Sequence, residues 1–225
     1  MKYLIAIPCM DMCHTEFLRS ILQLRKVGDC KYTLSQSSLI YDARNTLAKK
    51  AVTEGYDRVL WLDSDMSFEP DLMERLAARL DEGKEMVTGL YFTRKAPIRP
   101  VIYKECGYFK MDDDAVKPVA IWYDDYPRDD IFQVKACGFG AVMMTTDLIK
   151  KVGEKFGMPF APMLGFGEDL SFCGRVQEVG STMWADSTIK LGHVGLGTIT
   201  ESVFLQNGGK DGNPVSSQDG VEGHN

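Results

Sequence analysis

The chain has few histidines, no close pair of cysteines and no long apolar run, and each absence excludes something. The three histidines are His14, His193 and His224, and the six cysteines are dispersed at 9, 13, 30, 106, 137 and 173 without a Cys-x-x-Cys pair. Cys9-x-x-x-Cys13 has no second half with Cys or His at useful spacing, so a structural zinc site is not expected, and reduced thiols in a cytoplasmic protein are. No stretch approaches the ~18 to 20 apolar residues of a membrane span. The opening MKYLIAIPCMD is too brief for a signal peptide and reads as a first strand. There is no basic surplus: 26 Lys and Arg stand against 32 Asp and Glu, for a net charge of -6. Broad binding to nucleic acid needs a basic face and is therefore disfavoured. No internal repeat is found.

The 225 residues are 44% hydrophobic, enough for a real core in one domain. Strand and helix alternate through the first ninety residues. Strands are expected at 3–8, 31–37, 58–62 and 85–92. Helices are expected at 14–26, with Phe17, Leu18, Ile21, Leu22 and Leu24 on one side, at 41–55 along Ala43, Leu47 and Ala51, and at 70–82. Such alternation implies βαβ units and a mainly parallel sheet. Residues 94–135 hold short strand-like pieces and the acidic run Asp112-Asp113-Asp114, expected as an antiparallel extension with a solvated loop tip. A strand and helix resume at 140–157, and a helix runs from Glu168 to Val179, stopped by Gly180. Residues 1–206 are expected to form one catalytic domain, and 207–225, rich in Gly, Ser, Asp and Asn, a flexible tail.

Four constellations could carry chemistry. The apolar run Val59-Leu60-Trp61-Leu62 ends in Asp63-Ser64-Asp65. In an open parallel sheet, ligands bind beyond the carboxyl ends of the strands. On an extended segment both aspartates point to one side, where a divalent cation, Mn²⁺ or Mg²⁺, would relieve their repulsion. Equally, they could cap the next turn. Glu168 and Asp169 follow a Gly-Phe-Gly at a helix start. They are either dipole stabilisers or a general base at the mouth of a site. His193 lies between glycines, which suits a loop, and imidazole is a fair ligand for Mn²⁺. Arg44 is either a solvated helix residue or a fork for phosphate oxygens.

In this order, the segments IAIPCMD, ARN with DRVLWLDSDM, ACGFGAVMMTTDLIKKVG and GEDLSFCGRVQEVGSTMWADSTIKLGHVG resemble the glycosyltransferases of the GT-A fold, in its family-2-like group of small soluble enzymes found in phages and bacteria. The resemblance covers about residues 3 to 197 and rests on the ordered set. It implies an α/β fold with a mainly parallel central sheet and a small antiparallel extension. It implies a transferase that uses a nucleotide-sugar, commonly a UDP-sugar, with Mn²⁺ or Mg²⁺. Asp63, Asp65 and His193 are implied as metal ligands. Pro8, Arg44, Asp63, Ser64, Asp65 and Gly138 are implied on the donor, and Asp169 with Glu168 as the base of an inverting displacement. The acceptor could be a glycan, a small molecule or a modified nucleobase. The Gln and Trp motif of processive synthases is missing, which points to a single transfer. Retention, or a sugar-nucleotide-binding module without turnover, stays open. A nucleotidyltransferase would want a glycine-rich, basic loop after the first strand, and PCMDMCHTEF offers neither glycine nor lysine.

Overall fold

A computed structural model describes residues 1–110, 115–195 and 197–207. The acidic run at 112–114 and the expected tail beyond Asn207 lie outside the described residues.

Strand β1 (Lys2–Cys9) leads through α1 (Thr15–Gln23) to β2 (Asp29–Gln36), then through α2 (Ile40–Thr53) to β3 (Arg58–Leu62). The short β4 (Met66–Ser67) and α3 (Leu72–Asp81) precede β5 (Met86–Leu90). The middle holds β6 (Ile102–Lys110), β7 (Val116–Trp122), β8 (Ile131–Val134) and β9 (Ala136–Cys137). Then come β10 (Ala141–Thr145), α4 (Thr146–Phe156), α5 (Glu168–Glu178), β11 (Met183–Lys190), β12 (Gly192–Val194), β13 (Thr198–Ile199) and α6 (Glu201–Gln206).

Seven strands form the central sheet in the order β2-β1-β3-β10-β5-β11-β8. β2, β1, β3, β5 and β11 run one way, whereas β10 is antiparallel to both its neighbours and β8 is antiparallel to β11. The sheet is thus mostly parallel, with one reversed strand at its middle. β10 enters the sheet from the antiparallel excursion, with no helix between to carry the chain back to the other end. Part of that excursion, β7-β6-β9, makes a separate antiparallel three-stranded sheet, and β8 alone caps the edge of the main one.

Every residue of β3 is buried, as befits a strand covered on both faces. Its side chains alternate: Val59 and Trp61 join a core with α2, α4 and α5, while Leu60 and Leu62 join a core with α1 and α3. Helix α3 buries Leu72, Met73, Leu76, Ala77 and Leu80, the expected stripe. Helix α1 corrects its expectation. Leu18 and Leu22 are 46% and 77% exposed, and α1 packs through Phe17 and Ser20, with Leu24 beyond its end. At about 100° per residue, positions 17, 20, 21 and 24 share a face that 18 and 22 leave. Helix α6 was not foreseen; its buried Phe204 stacks on Phe92 at 4.7 Å.

Candidate active site

The Asp63-Ser64-Asp65 segment is a turn and not the extended segment the alternation argument assumed: the Met66 amide donates to the Asp63 carbonyl at 3.2 Å. Three backbone bonds tie this turn to three other parts of the chain. The Asp63 amide donates to Gly140 at 3.0 Å, the His14 amide to the Ser64 carbonyl at 3.1 Å, and the Val194 amide to the Asp65 carbonyl at 2.8 Å. The turn is therefore fixed before any ligand arrives.

A turn also frees the two aspartates to face different partners. The Asp63 Oδ1 atom accepts from Arg44 Nη2 at 2.8 Å. Asp65 Oδ2 lies 3.0 Å from Arg94 Nη1 and 3.5 Å from His193 Nε2. Burial pushes the Asp63 carboxyl up from its ordinary value, and Arg44 offsets this only in part. Burial also acts upward on Asp65, but the hydrogen bond and charge of His193 and the charge of Arg94 hold it below the usual value.

His193 stands on β12 and not in the loop expected for it, because β12 pairs with β4 and sets His193 opposite Met66, one residue past Asp65. Its Nδ1 is 2.7 Å from the carbonyl of Phe92. That oxygen can only accept, so Nδ1 carries a hydrogen and Nε2 is the nitrogen turned to Asp65. An oxygen and an imidazole nitrogen at this separation are of the type that could contribute to a divalent-cation site. Among the described residues no group of three or more His, Cys, Asp or Glu converges as a metal site. Of the three expected ligands, the structure pairs Asp65 with His193 and gives Asp63 to Arg44.

Arg44, on α2, is not the solvated helix residue that was one of its two expected readings. It is 2% exposed. Its Nε donates to Glu168 Oε1 at 3.1 Å, and its guanidinium lies over Phe139 at 5.1 Å and Trp61 at 5.8 Å. Glu168 and Asp169 open α5. Burial, then the charge of Glu168, raises the Asp169 carboxyl to about 6. Its Oδ1 accepts the Leu170 amide at 2.7 Å. An acid poised near neutral pH is what proton transfer from a hydroxyl asks for.

Pro8 is buried near the end of β1, in register with Ser35. Gly138 donates its amide to Val101 at 3.0 Å, and a Cβ there would stand 2.0 Å from the Tyr91 hydroxyl. Gly140 is also tight against Tyr91, whose hydroxyl accepts its amide at 3.4 Å. The glycines of CGFG are thus required by close approach, of Tyr91 at Gly138 and of Met66 and Tyr91 at Gly140. Tyr91 and Arg94 are the site residues that sequence reasoning missed. Their one available signal was position, at and just past the end of β5, where ligands gather in such sheets.

No family model and no curated protein sequence matches the chain. Among solved structures, A197 from STIV superposes with a TM-score of 0.59 at 19% identity, over 86% of this chain and 85% of that one. GalNAc-T7, a glycosyltransferase solved with UDP, GalNAc and Mn²⁺, superposes with a TM-score of 0.57 at 10% identity, over 87% of this chain. That match takes in 44% of the GalNAc-T7 chain, so this protein spans under half of its length. At such identities the likeness speaks for the fold, and the fold of this chain is glycosyltransferase-like.

Proposed function

We propose that this protein is a glycosyltransferase that moves a sugar from a nucleotide-sugar, a UDP-sugar, to an acceptor hydroxyl by inverting displacement, with Mn²⁺ or Mg²⁺ bound. The observation that carries this reading is a continuous line of charged groups. Asp169 and Glu168 lead through Arg44 to Asp63, and across the turn to Asp65 and His193. A poised acid at one end and an oxygen–imidazole pair at the other are the two functions such a displacement needs.

Asp65 and His193 would hold the cation, with Phe92 fixing the ring through Nδ1. When bound, the cation supplies positive charge against the leaving nucleoside diphosphate. Asp169 takes the proton of the acceptor hydroxyl at Oδ2, since Oδ1 is engaged by the Leu170 amide. The described residues contain no helix long and apolar enough to cross a membrane. The acceptor is a glycan, a small molecule or a modified nucleobase.

Incubation with Mn²⁺ and a panel of sugar nucleotides, followed by measurement of released nucleoside diphosphate, tests the reading. Release that depends on Mn²⁺ and rises with an acceptor supports it. Binding without release under any acceptor would leave a sugar-nucleotide-binding module. No binding, together with no rise in Tm on adding Mn²⁺, would overturn it.

A further inference from the structure

Resting on that reading of the site, we propose that Arg44 is a positioning residue: its guanidinium ties Glu168 to Asp63, and so sets where Asp169 stands, without contacting the donor's diphosphate.

The geometry leaves little room for the other role. Two edges of the guanidinium are engaged, Nε by Glu168 at 3.1 Å and Nη2 by Asp63 at 2.8 Å. Its planar neighbours are Phe139 and Trp61. The remaining nitrogen, Nη1, is buried without a partner. A diphosphate would have to open the packing around a group already withdrawn from solvent to reach that nitrogen, or displace a carboxylate to reach the other two.

What the bridge does follows from the sequence separation of its ends. Asp63 is 19 residues from Arg44 and Glu168 is 124 residues away. One side chain on α2 thus links the end of β3 to the start of α5. That start needs a link, because Gly167 at the N-cap provides no side-chain cap. Asp169 follows Glu168 directly, so fixing Glu168 fixes the first turn of the helix that presents the proposed base. Glu168 and Asp63 are both carboxylates, and Arg44 is ion-paired with each of them. Lysine could supply the charge but not two divergent N–H edges.

The test compares wild type with Arg44→Lys and Arg44→Met, reading the affinity for UDP with Mn²⁺ by calorimetry and the transfer rate at saturating donor. A positioning role predicts UDP affinity within about threefold of wild type and a kcat lower by about 100-fold or more, because misplacing a reacting group is that costly. Arg44→Lys should recover only a small part of the rate. A weakened UDP affinity with kcat preserved would overturn the proposal and return Arg44 to the diphosphate. A thermodynamic cycle of Arg44→Lys, Glu168→Gln and the double variant, read by denaturant unfolding, needs no donor. Coupling between the two changes supports the bridge, and strict additivity overturns it. Coupling in a protein that binds no donor would sink the proposed function alone, so the two failures are told apart.

Discussion

Asp63 and Asp65 are one residue apart in the chain's acidic turn, yet each faces different partners: Arg44 takes Asp63 at 2.8 Å, while Arg94 and His193 share Asp65 at 3.0 and 3.5 Å. The turn between β3 and β4 makes this possible, and it divides the labour of the site. In the proposed function Asp63 belongs with Arg44 to the scaffold that places α5, and Asp65 with His193 to the pair that would hold the cation.

Removing the proposed base should separate binding from chemistry. Asp169→Asn is expected to keep its affinity for UDP with Mn²⁺ while transfer falls by about 10²- to 10⁴-fold, the usual contribution of a general base. Calorimetry and a transfer assay check this. Loss of binding with turnover intact would assign Asp169 elsewhere.

The same carboxyl makes a prediction about pH. Its value of about 6 in the fold lies above the ordinary 3.8. Between these values the unfolded chain loses its proton while the folded chain keeps it, so stability falls as pH rises through this window. The cost is complete above pH about 6 and is on the order of 3 kcal/mol. Asp169→Asn should therefore raise Tm at pH 8 and have little effect near pH 4. Transfer by the wild type should climb through pH about 6 as the base ionises. An equal Tm difference at both pH values would contradict the raised carboxyl.

His193→Ala removes one of the two groups proposed to hold the cation. The Tm rise on titrating Mn²⁺ should then need a concentration about 10- to 100-fold higher, a typical loss when a metal site is disturbed. Because Arg94 also lies on Asp65, Arg94→Ala should not reproduce that loss. An unchanged Mn²⁺ titration in His193→Ala would make the histidine structural.

Gly138→Ala would drive a methyl group to 2.0 Å from the Tyr91 hydroxyl. Overpacking of this kind costs about 1 to 3 kcal/mol, measurable by denaturant unfolding. Tyr91→Phe in the same chain should recover part of it, since the oxygen is the nearest obstacle. Wild-type stability in Gly138→Ala would mean that the backbone yields freely there.

Much of the fold was legible in local pattern. The apolar run at β3, the stripe of α3 and the stops at Gly55 and Gly180, both at positive φ, are dictated by residues close in sequence. The same is true of the acids at the ends of β3 and at the start of α5, since chain position alone places them at element ends. The reversed β10 was not legible, because pairing direction depends on where a long excursion re-enters the sheet. The exposed Leu18 and Leu22 were missed because apolar residues on adjacent helical faces look like one stripe until the partner surface is known.

The sequence by itself determined an alternating α/β chain with acidic groups at two element starts and ends, and a histidine in reserve. Only the tertiary structure decided which acid serves which partner. Arg44 is 124 residues from Glu168, and His193 is 101 residues from the Phe92 carbonyl that orients it. No local pattern records such distances. They are set by packing, which withdraws Arg44 from water and brings to it the carboxylates of Asp63 and Glu168.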